Sequence, residues 1–461
     1  MKLAQLGTTF FRSRFVLCLK TRVLPIIILP MMLATIANPT LAADLRAAIE
    51  DDYASNLEGL FKHLHQNPEL SFREFETSKR LASELRNLGI TVTENVGGTG
   101  IVGMLRNGKG PVVLVRADMD GLPIVEDSGL AYASKRTQED INGEILPVMH
   151  ACGHDVHMTS LIGTARQLVN TLDQWQGTVM FIGQPAEERI GGAKAMIEDN
   201  LYERFGVPDY ALAFHVAAGK AAGTVSVPKA LAYSSSDSVD ITVYGIGAHG
   251  ASPHAGKDPI LIASQIVVAL QTVISREISP LEPGVITVGS FHGGSKHNII
   301  PDRVKLQLTV RSNDETVRQT LLSAIERIAT GVAFTAGLPE SLYPKVDLSI
   351  ESTPPTHNNA ELAYRVEAAI AEALGEDKVV PQTQKGMGAE DFAYFLVTEH
   401  EVPGAYFSVG GTPLKELEAA KKSGAKLPSH HSPYFKVEPE PAITAGTLAM
   451  TSAVLDLLAK D

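Results

Sequence analysis

Three short apolar runs in this chain each end in acids or a histidine. Val112-Val-Leu-Val115 leads into Arg116-Ala-Asp-Met-Asp120, Thr178–Ile182 into Gln184-Pro-Ala-Glu-Glu188, and Tyr210–Phe214 into His215. A short apolar run without polar alternation reads as a strand covered on both faces, which requires a sheet flanked by helices. Open α/β sheets place their ligand sites at the carboxyl ends of such strands. One polar strand end is an ordinary loop start, but three of them point to one shared site. Apolar positions at helical spacing over Leu45–Leu64, Thr77–Leu88 and Glu361–Leu374, and again from Ile443, supply the covering helices.

Between about 232 and 343 the texture changes. Val239–Val243 alternates as a strand, Pro259–Arg276 is a long helix, Val285–Gly289 and Val304–Val310 are strands, and Glu315–Ala333 is a second helix. That order is the order of a small ferredoxin-like sandwich. The expected architecture is therefore α/β: a discontinuous catalytic domain (43–231 and 344–461) with a mixed sheet covered by helices, interrupted by an inserted ferredoxin-like α+β domain (232–343). Insertion at an exposed loop leaves the host domain able to close around it.

The first 42 residues read as a secretory leader. Arg12, Arg14, Lys20 and Arg22 precede the apolar stretch Leu24–Leu33, and small residues suited to cleavage follow near Ala42. The expectation is an exported protein, periplasmic or secreted, with no stable membrane anchor once the leader is removed. The formal net charge of −12 offers no basic stripe for nucleic acid.

Cys18 lies in the leader, so Cys152 is the one cysteine of the expected mature chain. It cannot form an internal disulfide, and a free thiol in an oxidising compartment is a hazard unless buried or employed. Its surroundings, Met149-His-Ala-Cys-Gly-His-Asp-Val-His157, suit a metal, because coordination removes the thiol proton and thiolate is a strong zinc ligand. The alternative is an inert buried thiol. Further candidates are the adjacent carboxylates Glu187 and Glu188, His215 at its strand end, and His430 and His431 in a proline-flanked loop. In an extended loop, neighbouring residues point different ways, so one glutamate can face a metal while the other faces substrate.

These segments resemble the amidohydrolase branch of a metallopeptidase family that includes carboxypeptidase G and the aminoacylases. Hippurate hydrolase and the hydrolases of indoleacetic acid–amino acid conjugates belong to that branch. The resemblance rests on His65-Gln-Asn-Pro-Glu-Leu-Ser71, Arg116–Pro123, the Cys152–His154 segment and Gln184–Glu188. It continues through Gly245–His254, Asn298-Ile-Ile-Pro-Asp302, Gly388-Ala-Glu-Asp-Phe392 and His431-Ser-Pro-Tyr-Phe435. It implies two divalent ions per subunit, zinc or manganese with nickel or cobalt as alternatives, bridged by Cys152 and completed by His154, Glu188, His215 and His431. Glu187 would be the general base and acid, and Asp120 would orient a ligand. Many members carry a histidine ligand where this chain has Asp118, whose own contact with metal stays open; His157 is read as structural.

The resemblance further implies that the inserted domain dimerises and that His249 reaches the partner's active site, with Asn298 and Arg311 also binding substrate. The expected reaction is hydrolysis of the amide of N-acyl amino acids by metal-activated water, without an acyl-enzyme. A nucleophilic Cys152–His154 pair is the weaker reading of the same residues. Two alternatives differ in class: an exported dipeptidase or carboxypeptidase acting on short or cell-wall peptides, and a non-catalytic amino-acid- or peptide-binding protein.

Overall fold

The computed structural model describes residues 39–460 apart from Thr383. The expected leader lies outside the described residues up to residue 38, and a helix, Pro39–Asp52, opens the described chain. The larger sheet is built from β1 (Thr91–Val96), β2 (Gly100–Asn107), β3 (Val112–Asp118), β4 (Gly177–Gln184), β5 (Tyr210–Ala221) and β6 (Val225–Ser226). The inserted segment then supplies β7 (Ser236–Tyr244), β8 (Gly284–Gly293), β9 (Arg303–Ser312) and β10 (Lys345–Thr353). The chain returns to the larger sheet with β11 (Gly404–Thr412).

The seven strands lie in the order β1-β2-β4-β3-β5-β11-β6. The pairs β3–β4, β3–β5 and β5–β11 are parallel, and β1–β2, β2–β4 and β11–β6 antiparallel, so the sheet is mixed. Successive residues of one strand feed two different cores. Val113, Val115, Val179, Phe181, Leu212 and Phe214 pack with α1 (His154–Asn170) and the C-terminal helix Pro439–Leu457, whereas Leu114, Met180, Ile182, Ala211 and Ala213 pack with Phe392 and Tyr406. Apolar side chains on both faces are what the unbroken runs encode.

The four inserted strands form an antiparallel sheet in the order β8-β9-β7-β10, backed by two helices, Pro259–Thr272 and Glu315–Thr335. Val239, Ile241, Ile266, Leu306, Leu308 and Leu321 share a separate core. The fourth strand, β10, extends to Thr353, past the expected boundary at 343. Its residues alternate, Val346, Leu348 and Ile350 with Asp347, Ser349 and Glu351, but it is an edge strand with Leu348 and Ile350 turned outward, so the alternation marks no buried face.

A buried fork fastens both ends of this segment. Arg318 donates from Nε and Nη2 to the Asp237 carboxylate at 2.8 and 2.7 Å, and Ser352 Oγ donates to the same carboxylate at 2.6 Å. Asp237 lies near the start of β7 and Ser352 near the end of β10, so one guanidinium pins the entering strand to the leaving one. Removing one partner of a buried pair leaves a charge uncompensated, which costs about 3–5 kcal/mol. Arg318→Met is therefore expected to lower unfolding free energy by about that amount in urea titrations at neutral pH. A loss below about 1 kcal/mol would show that solvent already screens the pair.

Candidate metal centre

The carboxyl ends of β3 and β4 and the start of α1 converge on a cleft of about 400 Å³ with the middle of β5, where His215 sits within Tyr210–Ala221 rather than at the strand end expected. Cys152, Glu187, Glu188, His215, His430, His431, Tyr233 and Arg311 are among its lining residues. Gly153, at φ +86°, turns the chain so that Cys152 and His154 both face inward. A Cβ there would also sit 2.3 Å from Val216 Cγ1, so only glycine fits on both counts.

Glu187 and Glu188 occupy a single 3-10 turn, Glu187–Arg189, rather than the extended loop expected. Their carboxylates share one contact, with Glu187 Oε2 and Glu188 Oε1 at 3.8 and 3.9 Å from His154 Nε2; beyond it Glu187 clusters with Glu390 and Asp391, whereas Glu188 Oε2 lies 3.3 Å from His431 Nε2. The turn is flanked by two non-glycine residues in the left-handed region, Ala186 at φ +50° and Ile190 at φ +53°. Such backbone is unfavourable unless its surroundings hold it. Here Ala186 N–H donates to Glu74 Oε1 at 2.8 Å, and the N–H groups of Glu187 and Glu188 donate to the Asp120 carboxylate at 3.1 and 3.0 Å. Asp120 also accepts from Ser71 Oγ at 2.6 Å and lies 3.4 Å from His154 Nδ1.

Cys152 Sγ lies 3.3 Å from His215 Nε2. Ligand-capable atoms of Cys152, His154 and His215 fall within 4.8 Å of one another, as do those of Cys152, Glu188 and His431. The two groups share the sulfur, which is the arrangement a bridging thiolate requires. Nε2 of His154 and Oε1 of Glu188 are buried without a hydrogen-bond partner. Buried polar atoms are nearly always paired, so these fit a coordinated cation. Electrostatics agree: burial works against a charged His154, yet Asp118, Asp120 and Glu188 outweigh it and push its pKa up to about 10. Burial, then Glu188 and Glu187, hold the Cys152 thiol well above its usual range, so a thiolate here needs positive charge beside it.

Asp118 and His157 are held to each other by a hydrogen bond. Val216 N–H donates to His157 Nε2 at 2.8 Å, which leaves the ring proton on Nδ1, 2.6 Å from Asp118 Oδ1. The other oxygen of Asp118 accepts from Arg116 at 2.6 Å. Both ring nitrogens of His157 are thereby engaged, which seats Val216 and hence His215, while Asp118 keeps acceptor capacity and lies 3.8 Å from His154 Nε2. Arg116 also meets Glu390 at 2.8 Å and Asp391 at 3.3 Å, giving buried acids a counter-charge. Burial, then Glu390 and Glu188, hold the Glu187 carboxyl well above the usual range.

Of the sequence candidates, the fold brings together Cys152, His154, Glu187, Glu188, His215, His431, Asp120 and Arg311. His249 and Asn298 lie elsewhere: Gly250 N–H donates to Asn298 O at 2.8 Å in a short two-stranded ribbon, His249 is exposed, and neither lines this cleft. Tyr233, Met387 and Ala389 line the cleft but are not among the sequence candidates. Nothing in their residue types or spacing marks them, although Ala389 sits inside one of the motifs that carry the resemblance.

Residues 114–454 match peptidase family M20/M25/M40, and the chain belongs to this family. It is 38% identical over 377 residues to thermostable carboxypeptidase 2 of Saccharolobus solfataricus, covering 81% of this chain and 88% of that protein. It is 36% identical over 345 residues to hippurate hydrolase of Campylobacter jejuni, covering 75% and 86%. Among solved structures it resembles a dinuclear metal-binding peptidase of Bacillus subtilis from the same family, with TM-score 0.69, 28% identity, and coverage of 89% and 99%. The protein is a metal-dependent amidohydrolase of this family.

Replacing Cys152 by Ser exchanges an anionic ligand for a poorer neutral one. Cys152→Ser is expected to weaken divalent-ion binding by roughly tenfold or more in equilibrium dialysis, with the fold intact by circular dichroism. Unchanged affinity and stoichiometry would remove the sulfur from the ligand set.

Proposed function

We propose that the protein hydrolyses the amide bond of N-acyl amino acids, releasing a carboxylic acid and a free amino acid. The observation that carries this reading is the placement of two unlike groups in one cleft: Glu187, beside the ligand set, and Arg311. Arg311 is half-buried with no ion pair among the described residues, and burial lowers its pKa. A guanidinium so placed is suited to a carboxylate in a two-pronged grip. Cys152, His154, Glu188, His215 and His431 would hold two divalent ions, with zinc or manganese matching this mixed sulfur, nitrogen and oxygen set. When bound, such ions supply Lewis acidity, lowering the pKa of water from about 15.7 to near 7 and polarising an amide carbonyl.

Glu187 then takes a proton from the attacking water and returns it to the departing amine nitrogen. Asp120 fixes the glutamate turn through two backbone hydrogen bonds, so that the base keeps its aim. The exposed position of His249, away from its own cleft, supports a homodimer in which His249 of the partner subunit completes the site. The basic and apolar residues before Thr40 support export. The carboxypeptidase relative favours a second reading, cleavage of short peptides, which a panel of N-acyl amino acids and dipeptides on metal-loaded protein separates.

Glu187→Gln is expected to keep metal and substrate binding but lose turnover by roughly 100-fold or more, whereas Glu188→Gln should also lose metal. Similar behaviour of the two variants in dialysis and in turnover would reverse or merge the assigned roles.

Mixing inactive His249→Ala with inactive Glu187→Gln protein tests the partner contribution. Subunit exchange would create one site holding both Glu187 and an intact His249, and that site should work. Continued inactivity after demonstrated exchange would place His249 outside the partner's site.

A further inference from the structure

From His215 a polar row runs away from the cleft, and its two serines have no part in the hydrolytic machinery. His215 on β5, Ser408 on β11 and Ser226 on β6 are register partners across three neighbouring strands. Phe407 and Val409, on either side of Ser408, pack into the main core, while Tyr406 packs into the other. Strand alternation therefore puts Ser408 on the face opposite the main core, the face on which His215 also lies.

Lys220, five residues beyond His215 on β5, closes over the far end of this row. Its Nζ donates to Ser226 Oγ at 2.9 Å and to Gln382 Oε1 at 3.3 Å, and Ser408 Oγ donates to the same Gln382 oxygen at 2.9 Å. Gln382 begins the segment whose Met387, Gly388 and Ala389 wall the cleft, so the row and the cleft share a cover. The Lys220 ammonium meets no carboxylate among the described residues. The charge that bears on it is a second lysine, Lys385, and burial together with that neighbour brings its pKa down to about 8. In a chain of net charge −12, a half-buried ammonium held only by a hydroxyl and an amide oxygen is an arrangement that an anion would complete. Two of its three N–H donors are used; the third, with the Gln382 amide N–H groups, remains for a ligand oxygen.

We propose that Lys220, Gln382, Ser226 and Ser408 form an anion subsite beside the cleft that binds a second carboxylate of the substrate, distinct from the one facing Arg311. The proposal rests on the hydrolase reading above and narrows its substrate class to N-acyl amino acids with two carboxylates. The second carboxylate has two candidate sources: the acyl group, as in the half-amide of a dicarboxylic acid, or an acidic amino-acid side chain.

The experiment compares metal-loaded wild type, Lys220→Met and Lys220→Arg on two matched substrate pairs. One pair is an N-succinyl amino acid and its terminal amide; the other is N-acetylglutamate and N-acetylglutamine. In wild type, kcat/KM should favour the acid of one pair by roughly tenfold or more, the scale of one charge-assisted hydrogen bond, and the pair showing the preference names the source. Lys220→Met should bring that ratio close to one, and Lys220→Arg should restore most of it. An equal ratio in wild type and Lys220→Met, or no preference for either acid, overturns the subsite. If wild type cleaves other N-acyl amino acids but neither pair, the subsite is overturned; if it cleaves no N-acyl amino acid, the hydrolase reading has failed, and calorimetric titration with glutarate decides the subsite alone. A Kd at least tenfold weaker in Lys220→Met than in wild type sustains it, and equal affinities overturn it.

Discussion

The two oxygens of Asp120 are shared by donors from two distant parts of the chain. Ser71 brings a hydroxyl, and Glu187 and Glu188 bring consecutive backbone N–H groups. Because this carboxylate is buried, each bond counts for more than it would in water, and losing one would leave an oxygen uncompensated. The arrangement explains how a strained turn persists between two left-handed residues. It also explains why the end of β3 governs the direction of side chains that emerge from β4. A sheet edge by itself would bring the two strand ends near each other; the shared carboxylate sets their angle.

Beneath that point lies a buried layer of charge centred on Arg116. Asp118, Glu390 and Asp391 surround it, and Tyr406 closes on Glu390 at 2.6 Å. Burying charges is expensive, and such pairs seldom add net stability. Their value here is geometric. Asp118 fixes the tautomer of His157, whose other nitrogen holds the backbone next to His215, so a guanidinium at one strand fixes a ligand on the neighbouring one. Asp391 likewise accepts from the backbone of Ala193, just beyond the glutamate turn.

Much of this is readable in the residues. The apolar runs at Val112, Thr178 and Tyr210 announce parallel strands with polar carboxyl ends, and the Cys152–His154 spacing announces a turn into a helix, because those signals are local. Longer-range facts are not readable. Whether Asp118 binds metal depends on whether Arg116 and His157 have already claimed its oxygens, and only the packed fold decides that. The fourth inserted strand does alternate, Val346, Leu348 and Ile350 with Asp347, Ser349 and Glu351, but its place at the edge of the inserted sheet is set by pairing with β7, far away in the chain. Tyr233 and Met387 reach the cleft from segments whose sequence carries no chemical signature, placed there by pairing between strands far apart in the chain. Lys220 gives no signal either, since a lysine near a strand end is ordinary until its surroundings prove to lack an acid.

The environment of Cys152 bears on how the protein withstands oxidants. It is the one cysteine among the described residues, so no neighbouring thiol could rescue it as a disulfide once it was oxidised. Peroxides attack thiolate far faster than thiol, and oxidation beyond the sulfenic stage is irreversible without dedicated repair. The same burial and surrounding carboxylates that raise its pKa keep the sulfur protonated whenever no cation is beside it. Thiolate character then arises only when a metal already occupies the lone pairs that an oxidant would need. Burial thus protects the empty protein and coordination protects the loaded one, so a single sulfur can serve in an oxidising compartment without a partner.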